Sequence, residues 1–249
     1  GTYDVVYSIG DAFDGGDNDV FGLYGASRYD NTVAYQSPKF AGLQVTAMYS
    51  FKQDSNAKVD DFSGDEGDFS SSKRYAGVAL TGEYGPAQFV AAYELTKYGS
   101  DGTKRELDKD ANVFFLGGNY DFGVAKVYAM GQYFQNAIAV GQKYITDSSF
   151  GKFGYSFGDT AGWEGADGYG LALGVGVPVL GGTAKAHVGY MDAEAAEDSS
   201  RKLSRWNVAV GYDYSLSKRT SVYSAAAYTK DDNTDYSGLE PSSVEVIAG

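Results

Sequence analysis

The sequence predicts an all-β chain, and within that class a transmembrane up-and-down antiparallel β-barrel. Three observations carry this. About eleven segments alternate in polarity with period two, their connections are alternately short and long, and each segment keeps one face free of charge. The first clear segment pair is Arg28 to Phe51, two alternating arms around a Ser-Pro turn, which is the pattern of a β-hairpin. On the first arm Tyr29, Asn31, Val33 and Tyr35 share a face opposite Arg28, Asp30, Thr32 and Gln36. On the second, Leu43, Val45, Ala47, Tyr49 and Phe51 oppose Gln44, Thr46, Met48 and Ser50. Alternation by itself fits a water-soluble sandwich as well as a barrel wall. The connections and faces separate the two.

Short turns are expected at Ser37 to Gly42, Gly85 to Pro86, Gly123, Pro178 to Gly182 and Ser215 to Lys218. Between them lie long polar connections at Lys52 to Lys73, Lys97 to Ala111, Asn136 to Gly168, Asp192 to Ser204 and Lys230 to Ser243. A sheet trimmed at one end and looped at the other has the asymmetry of an outer-membrane barrel, short turns inside the periplasm and long loops outside. The expected outward sets include Ala76, Val78, Leu80 and Tyr84; Phe114, Leu116, Tyr120 and Phe122; Leu171, Leu173, Val175 and Val177; and Trp206, Val208, Val210 and Tyr212. None holds a charge, as expected if lipid lies outside, where a Lys or Arg near mid-membrane costs roughly 2–4 kcal/mol. The opposite faces carry Glu83, Gln88, Glu94, Asn119, Lys126, Gln132, Lys185, His187, Arg205 and Asn207, and are read as facing water. Tyr35, Tyr84, Tyr120, Phe122, Tyr212 and Tyr214 precede short turns, whereas Tyr49, Phe51, Tyr93, Tyr133, Tyr190 and Tyr228 precede long loops. Two aromatic belts at the membrane boundaries follow from that spacing. A sandwich would instead bury its tyrosines.

Composition agrees. The 249 residues hold 22 Tyr and no Cys, which removes disulfides, Cys-based zinc sites and thiol nucleophiles. A formal charge of −13 argues against a nucleic-acid partner, which requires clustered Lys and Arg. No apolar run approaches the roughly 20 residues a spanning helix needs, and mean hydropathy is −0.33, a value that barrel strands also give. The N-terminal GTYDVVYSIG has neither a basic nor an apolar leader region. Residues 1–27, rich in Gly and Asp without sustained alternation, read as a loop.

Three stretches carry a family likeness. Arg28-Tyr29-Asp30-Asn31-Thr32-Val33 with Tyr35 and Ser37-Pro38, then Leu216-Ser217-Lys218-Arg219-Thr220 with Val222-Tyr223, and last Ser243 to Gly249 resemble the strand, turn and terminal motifs of trimeric general-diffusion porins of Gram-negative bacteria, in particular the beta-proteobacterial branch. The resemblance implies a 16-stranded barrel of which about eleven strands fall in this chain, so that residues 1–249 form a partial porin barrel lacking the N-terminal strands and the last few residues. It implies a homotrimer in the cell outer membrane, in contact with membrane lipid and lipopolysaccharide, that passes small hydrophilic solutes and ions passively. By the same resemblance residues 1–27 are the pore-constricting loop and residues 28–249 the strands with long external loops. Asp4, Asp11, Asp14, Asp17 and Asp19 would line the constriction, facing basic wall residues Arg28, Lys126, Lys185 and Arg205, and the transverse field between them would filter solutes. The charge balance gives a lean toward cations. The alternative function is a non-conducting barrel acting through its long loops as an adhesin or ligand-binding protein.

No catalytic, cofactor-binding or metal-ligating residue is expected. The single histidine, His187, sits on an inward position without a second imidazole, and reads as a wall residue. The acidic run from Val59 to Asp68 lacks the spacing of a calcium loop and reads as solvated charge. The aromatics of 136–168, Tyr144, Phe150, Phe153, Tyr155, Phe157 and Trp163, suit loop packing more than a sugar platform. The glycine run from Gly168 to Gly176 has no helix after it, so it is not a dinucleotide loop, and its small inward residues suit a curved wall.

Overall fold

The computed structural model describes residues 2–13, 29, 31–51, 74–97, 109–137, 143–144, 156–157, 165–217, 219–234 and 242–249. The described residues open with a helix, α1 (Thr2–Gly10). The strands follow as β1 (Thr32–Gln36), β2 (Leu43–Ser50), β3 (Arg74–Tyr84), β4 (Ala87–Lys97), β5 (Ala111–Asp121), β6 (Lys126–Ala137), β7 (Lys143–Tyr144), β8 (Ser156–Phe157), β9 (Ala166–Val179), β10 (Gly182–Ala195), β11 (Lys202–Ser217), β12 (Thr220–Asn233) and β13 (Ser242–Ala248). One antiparallel sheet of 11 strands takes β1 to β6 and β9 to β13 in chain order. β7 and β8 pair with each other, so β6 joins β9 directly. β1 and β13 stand at the two ends of the sheet.

Paired residues of antiparallel strands point the same way, so the register carries the period-two pattern from strand to strand. Tyr93, Phe114, Tyr133 and Tyr169 stand side by side on β4, β5, β6 and β9. Their rings meet at 4.8 Å between Tyr93 and Phe114 and 6.5 Å between Phe114 and Tyr133. Tyr169 with Tyr190 and Trp206 with Tyr228 continue this row toward β12. Near the short turns Tyr84 lies with Phe89, and Tyr120 with Phe122. Between the two rows the surface is aliphatic and bare: Leu116 is 66% and Val210 61% exposed, whereas inward Glu94 and Arg205 are 3% exposed. In water so large an apolar face would have to be covered, and in lipid it needs no cover. The expected outward and inward sets therefore hold.

Four expectations change. Residues Thr2–Gly10 are a helix rather than loop, because Val5, Val6 and Ile9 recur at helical spacing and bury one face against the sheet. Tyr29 does not continue the outward face of Val33 and Tyr35. It stacks on inward Tyr75 at 4.3 Å, since Asn31 adopts φ 52 and breaks the alternation. The connection expected over 192–204 contracts to 196–201, because Asp192 pairs with Ser204 and Glu194 with Lys202 within the ladder. Last, the inward face is not uniformly wet: Ala79, Val90, Ala92, Val113, Phe115 and Met130 form a buried apolar patch on it. The connections 52–73, 98–108, 138–142, 145–155 and 158–164 lie outside the described residues, and with them the acidic run and Phe150, Phe153, Tyr155 and Trp163, whereas Tyr144 and Phe157 fall in β7 and β8.

Candidate pore constriction

α1 and the residues after it lie across the inward face. The helix seats Val6 and Tyr7, both buried, on the apolar patch of β3 to β6, with Val5 and Ile9 packed at its margin. Burying a side chain such as Val6 contributes roughly 1.5–3 kcal/mol, so hydrophobic contact is the main force holding the segment to the wall. Polar contacts then fix its ends. At the N-terminus the hydroxyls of Thr2 and Tyr75, 3.0 Å apart, both donate to Oε1 of Glu94. A carboxylate there also complements the positive end of the helix dipole. At the C-terminus Asn119 Nδ2 donates to the Ile9 carbonyl at 2.8 Å and to Gln88 Oε1 at 3.0 Å, which satisfies an end carbonyl that has no partner inside the helix.

Beyond the helix, small inward residues let the chain pass close to the wall. Gly10 faces Gly117 and Met130, Ala12 faces Gly174, and Phe13 faces Gly211. A methyl group built on Gly174 would come 3.0 Å from Ala12 Cβ, and one on Gly211 would come 2.7 Å from Phe13 Cε1. Thus β9's inward row of Gly and Ala, expected from the sequence as a feature of wall curvature, also makes room for the segment. Asp11 Oδ1 accepts from the Phe13 amide at 3.1 Å and lies 3.4 Å from Nδ1 of His187 on β10, with both side chains buried. Residues 2–13 thus touch the inward face from β3 to β11.

The expected acidic and basic residues divide sharply. Of the acidic set, Asp11 meets the wall, but its partner is His187 and not one of the four named basic residues. Asp4 lies in α1, its side chain outside the described residues, as are Asp14, Asp17, Asp19 and Arg28. Of the described basic wall residues, Arg205 forms a two-point pair with Asp231, Nε to Oδ1 at 2.6 Å and Nη2 to Oδ2 at 2.8 Å, deeply buried. Lys185 pairs with Asp213 at 2.6 Å and has its ammonium 5.7 Å from the Phe13 ring centre. Lys126 rests over the Tyr128 ring at 5.2 Å. Lys126, Gly176, Lys185 and Gly211 occupy one level across β6, β9, β10 and β11, so these two lysines flank a glycine on the same inward row.

Sequence reasoning missed the anchors Thr2 and Tyr75, and the carboxylates Asp213 and Asp231 that neutralise the wall. The signal for the helix seat was present in the inward aliphatic residues of β4 to β6. The signal for the ion pairs was inward parity: Asp213 shares the parity of Arg205, and Asp231 stands opposite Arg205 in the β11–β12 register.

A family model described as Gram-negative porin matches residues 1–234. The chain belongs to the Gram-negative porin family. An outer membrane porin protein of Bordetella pertussis is 28% identical over 219 residues, covering 82% of this chain and 53% of that protein. Outer membrane porin protein 32 of Delftia acidovorans is 25% identical over 220 residues, covering 87% of this chain and 51% of that one. The chain therefore spans about half the length of the curated relatives it matches. An anion-selective porin from Comamonas acidovorans superposes with a TM-score of 0.56 at 23% identity, over 94% of this chain and 59% of that porin, which shows the shared barrel-wall fold. This porin belongs to the cell outer membrane, and its bare aliphatic face between aromatic rows is the lipid side.

Proposed function

We propose that the whole protein is a water-filled outer-membrane channel for passive diffusion of ions and small hydrophilic solutes, narrowed by residues 1–27, and that it works as a homotrimer. The observation that carries this is the inverted sheet with a segment laid across its polar side: apolar side chains face out, and residues 2–13 occupy the face a solute would pass. Asp4, Asp14, Asp17 and Asp19 belong, in this reading, to the same constriction as Asp11. Opposite them, Arg28, Lys126, Lys185 and Arg205 form the basic side, and the pairs with Asp213 and Asp231 offset the charge of Lys185 and Arg205. A wall of mostly matched charges gives mild selectivity, and the surplus of carboxylates over the chain, −13 in total, leans it toward cations. The anion selectivity named for the Comamonas porin is the competing outcome.

The test is planar-bilayer recording of the full-length protein with the reversal potential taken across a salt gradient. Openings in steps of three with a small cation-side reversal potential are expected. A large anion-side potential overturns the selectivity, and silence from folded protein favours a closed barrel that acts through its loops.

A further inference from the structure

The short turns of this porin are apolar where turns in water are polar. Phe40 is 83% and Leu180 88% exposed, and Phe122, Val124 and Leu216 are exposed at the same end of the sheet. Two of these turns share one construction. Phe40 and Leu43 exchange both backbone hydrogen bonds around Ala41 (φ 50) and Gly42 (φ 81), and Val179 and Gly182 pair around Leu180 (φ 50) and Gly181 (φ 81). Positive φ at both central residues defines the tight hairpin turn that prefers Asn-Gly, whose first residue tolerates the left-handed region. Leucine does not, because its branched bulk crowds the backbone there. Leu180 therefore accepts an unfavourable backbone and an exposed side chain together, and in water neither would be compensated.

The turn is also braced from the lipid side. The Tyr212 hydroxyl lies 3.0 Å from the Val179 carbonyl and 3.1 Å from that of Leu180, and the Tyr214 ring lies against Gly181. Tyr84 lies in the same way against Gly42. Outward aromatics of the short-turn belt thus hold the tips in place, which makes the tips continuous with the lipid-facing surface. Lys39, exposed beside Phe40 and paired with Glu83, and Arg219, in the turn after Leu216, place basic side chains at this rim.

We propose that the short-turn rim of this porin is seated in the phospholipid leaflet, with Phe40, Val124 and Leu180 lodged among the headgroups just beyond the aromatic row, rather than standing in periplasmic water. Lipid reverses the sign of the exposure term and offsets the turn strain. The proposal rests on the outer-membrane placement of the sheet, and its test separates the two. These 249 residues hold no cysteine, so single-cysteine variants Phe40→Cys, Val124→Cys and Leu180→Cys of the full-length protein, with any cysteine outside them replaced by serine, can be spin-labelled in phosphatidylethanolamine–phosphatidylglycerol bilayers. Leu173→Cys marks the mid-membrane face and Ser199→Cys the water at the opposite end. Collision with oxygen against a water-soluble nickel chelate reads depth. The three tips are expected to show an oxygen-to-nickel ratio several-fold above Ser199 and below Leu173. Tips that match Ser199 while Leu173 remains oxygen-rich place the turns in water and overturn the proposal alone. Tips shielded from both reagents lie against protein and overturn it too. Leu173 matching Ser199 would remove the membrane placement itself.

Discussion

The inward face of this porin is two different surfaces on one sheet. Across β3 to β6 the part of it under α1 is aliphatic and buried: Ala79, Val90, Ala92, Val113 and Met130 close on Val6 and Tyr7, with Glu94 and Asn119 at the two ends of the helix. Across β10 to β12 the same parity carries Lys185, His187, Arg205 and Asp231, each against an opposite charge or a polar partner. Alternation thus tells which side of the strand a residue occupies. It does not tell what medium that side meets, because a helix laid against the wall replaces water locally with packing.

The charged half is the more sensitive of the two to substitution. Removing one member of a buried pair leaves an uncompensated charge, so Arg205→Met is expected to destabilise the protein by about 3–5 kcal/mol, whereas Arg205→Met with Asp231→Leu recovers most of that loss. Urea unfolding in lipid of the two variants checks this. Equal losses would mean that Asp231 reaches water once Arg205 is gone, and that this half is wet even at depth. In the dry half the expected effect is smaller. Val6→Ala removes two methyl equivalents from a filled site and is expected to weaken the seating of α1 by about 2 kcal/mol. Global unfolding should move little, since the sheet remains intact, while single-channel traces should become noisier and their conductance rise. Unchanged current with lowered stability would assign α1 a structural role and not a place in the constriction.

How much of this was legible in the sequence varied with the length of the pattern behind it. Strand faces and aromatic rows were legible because each is an alternation sustained over a whole strand and repeated on its neighbours, as with Tyr93, Phe114, Tyr133 and Tyr169. α1 was missed because Thr2–Gly10 is short and polar at intervals, and its helical spacing makes sense only once Val90, Val113 and Met130 are known to face it. Tyr29 was misplaced by one residue, Asn31, whose positive φ the sequence permits without requiring. The site was the least legible part. That Arg205 faced inward could be read from parity, but its neutralisation by Asp231 needed the β11–β12 register, and the Asp11–His187 contact needed the path of a segment that crosses the inward face from β3 to β11.

The finest distinction concerns the boundary between the two halves, where Lys126 sits. Its ammonium lies over the Tyr128 ring, and Asp121, directly across from it on β5, is turned onto the Gly123 amide. Lys185, on the same level beyond Gly176, is instead matched by Asp213. If the proposed channel holds, Lys126 supplies positive potential to the lumen where Lys185 supplies little. Lys126→Gln should shift the reversal potential toward cations by an amount that depends on salt, because the Debye length falls from about 10 Å at 0.1 M to about 3 Å at 1 M. At 0.1 M the shift should be measurable, and at 1 M it should vanish, whereas Lys185→Gln should shift the potential in the same sense by more than Lys126→Gln only if Asp213 then stands alone in the lumen. An effect of Lys126→Gln that persists unchanged at high salt would mean that the lysine acts on pore width and not on its field.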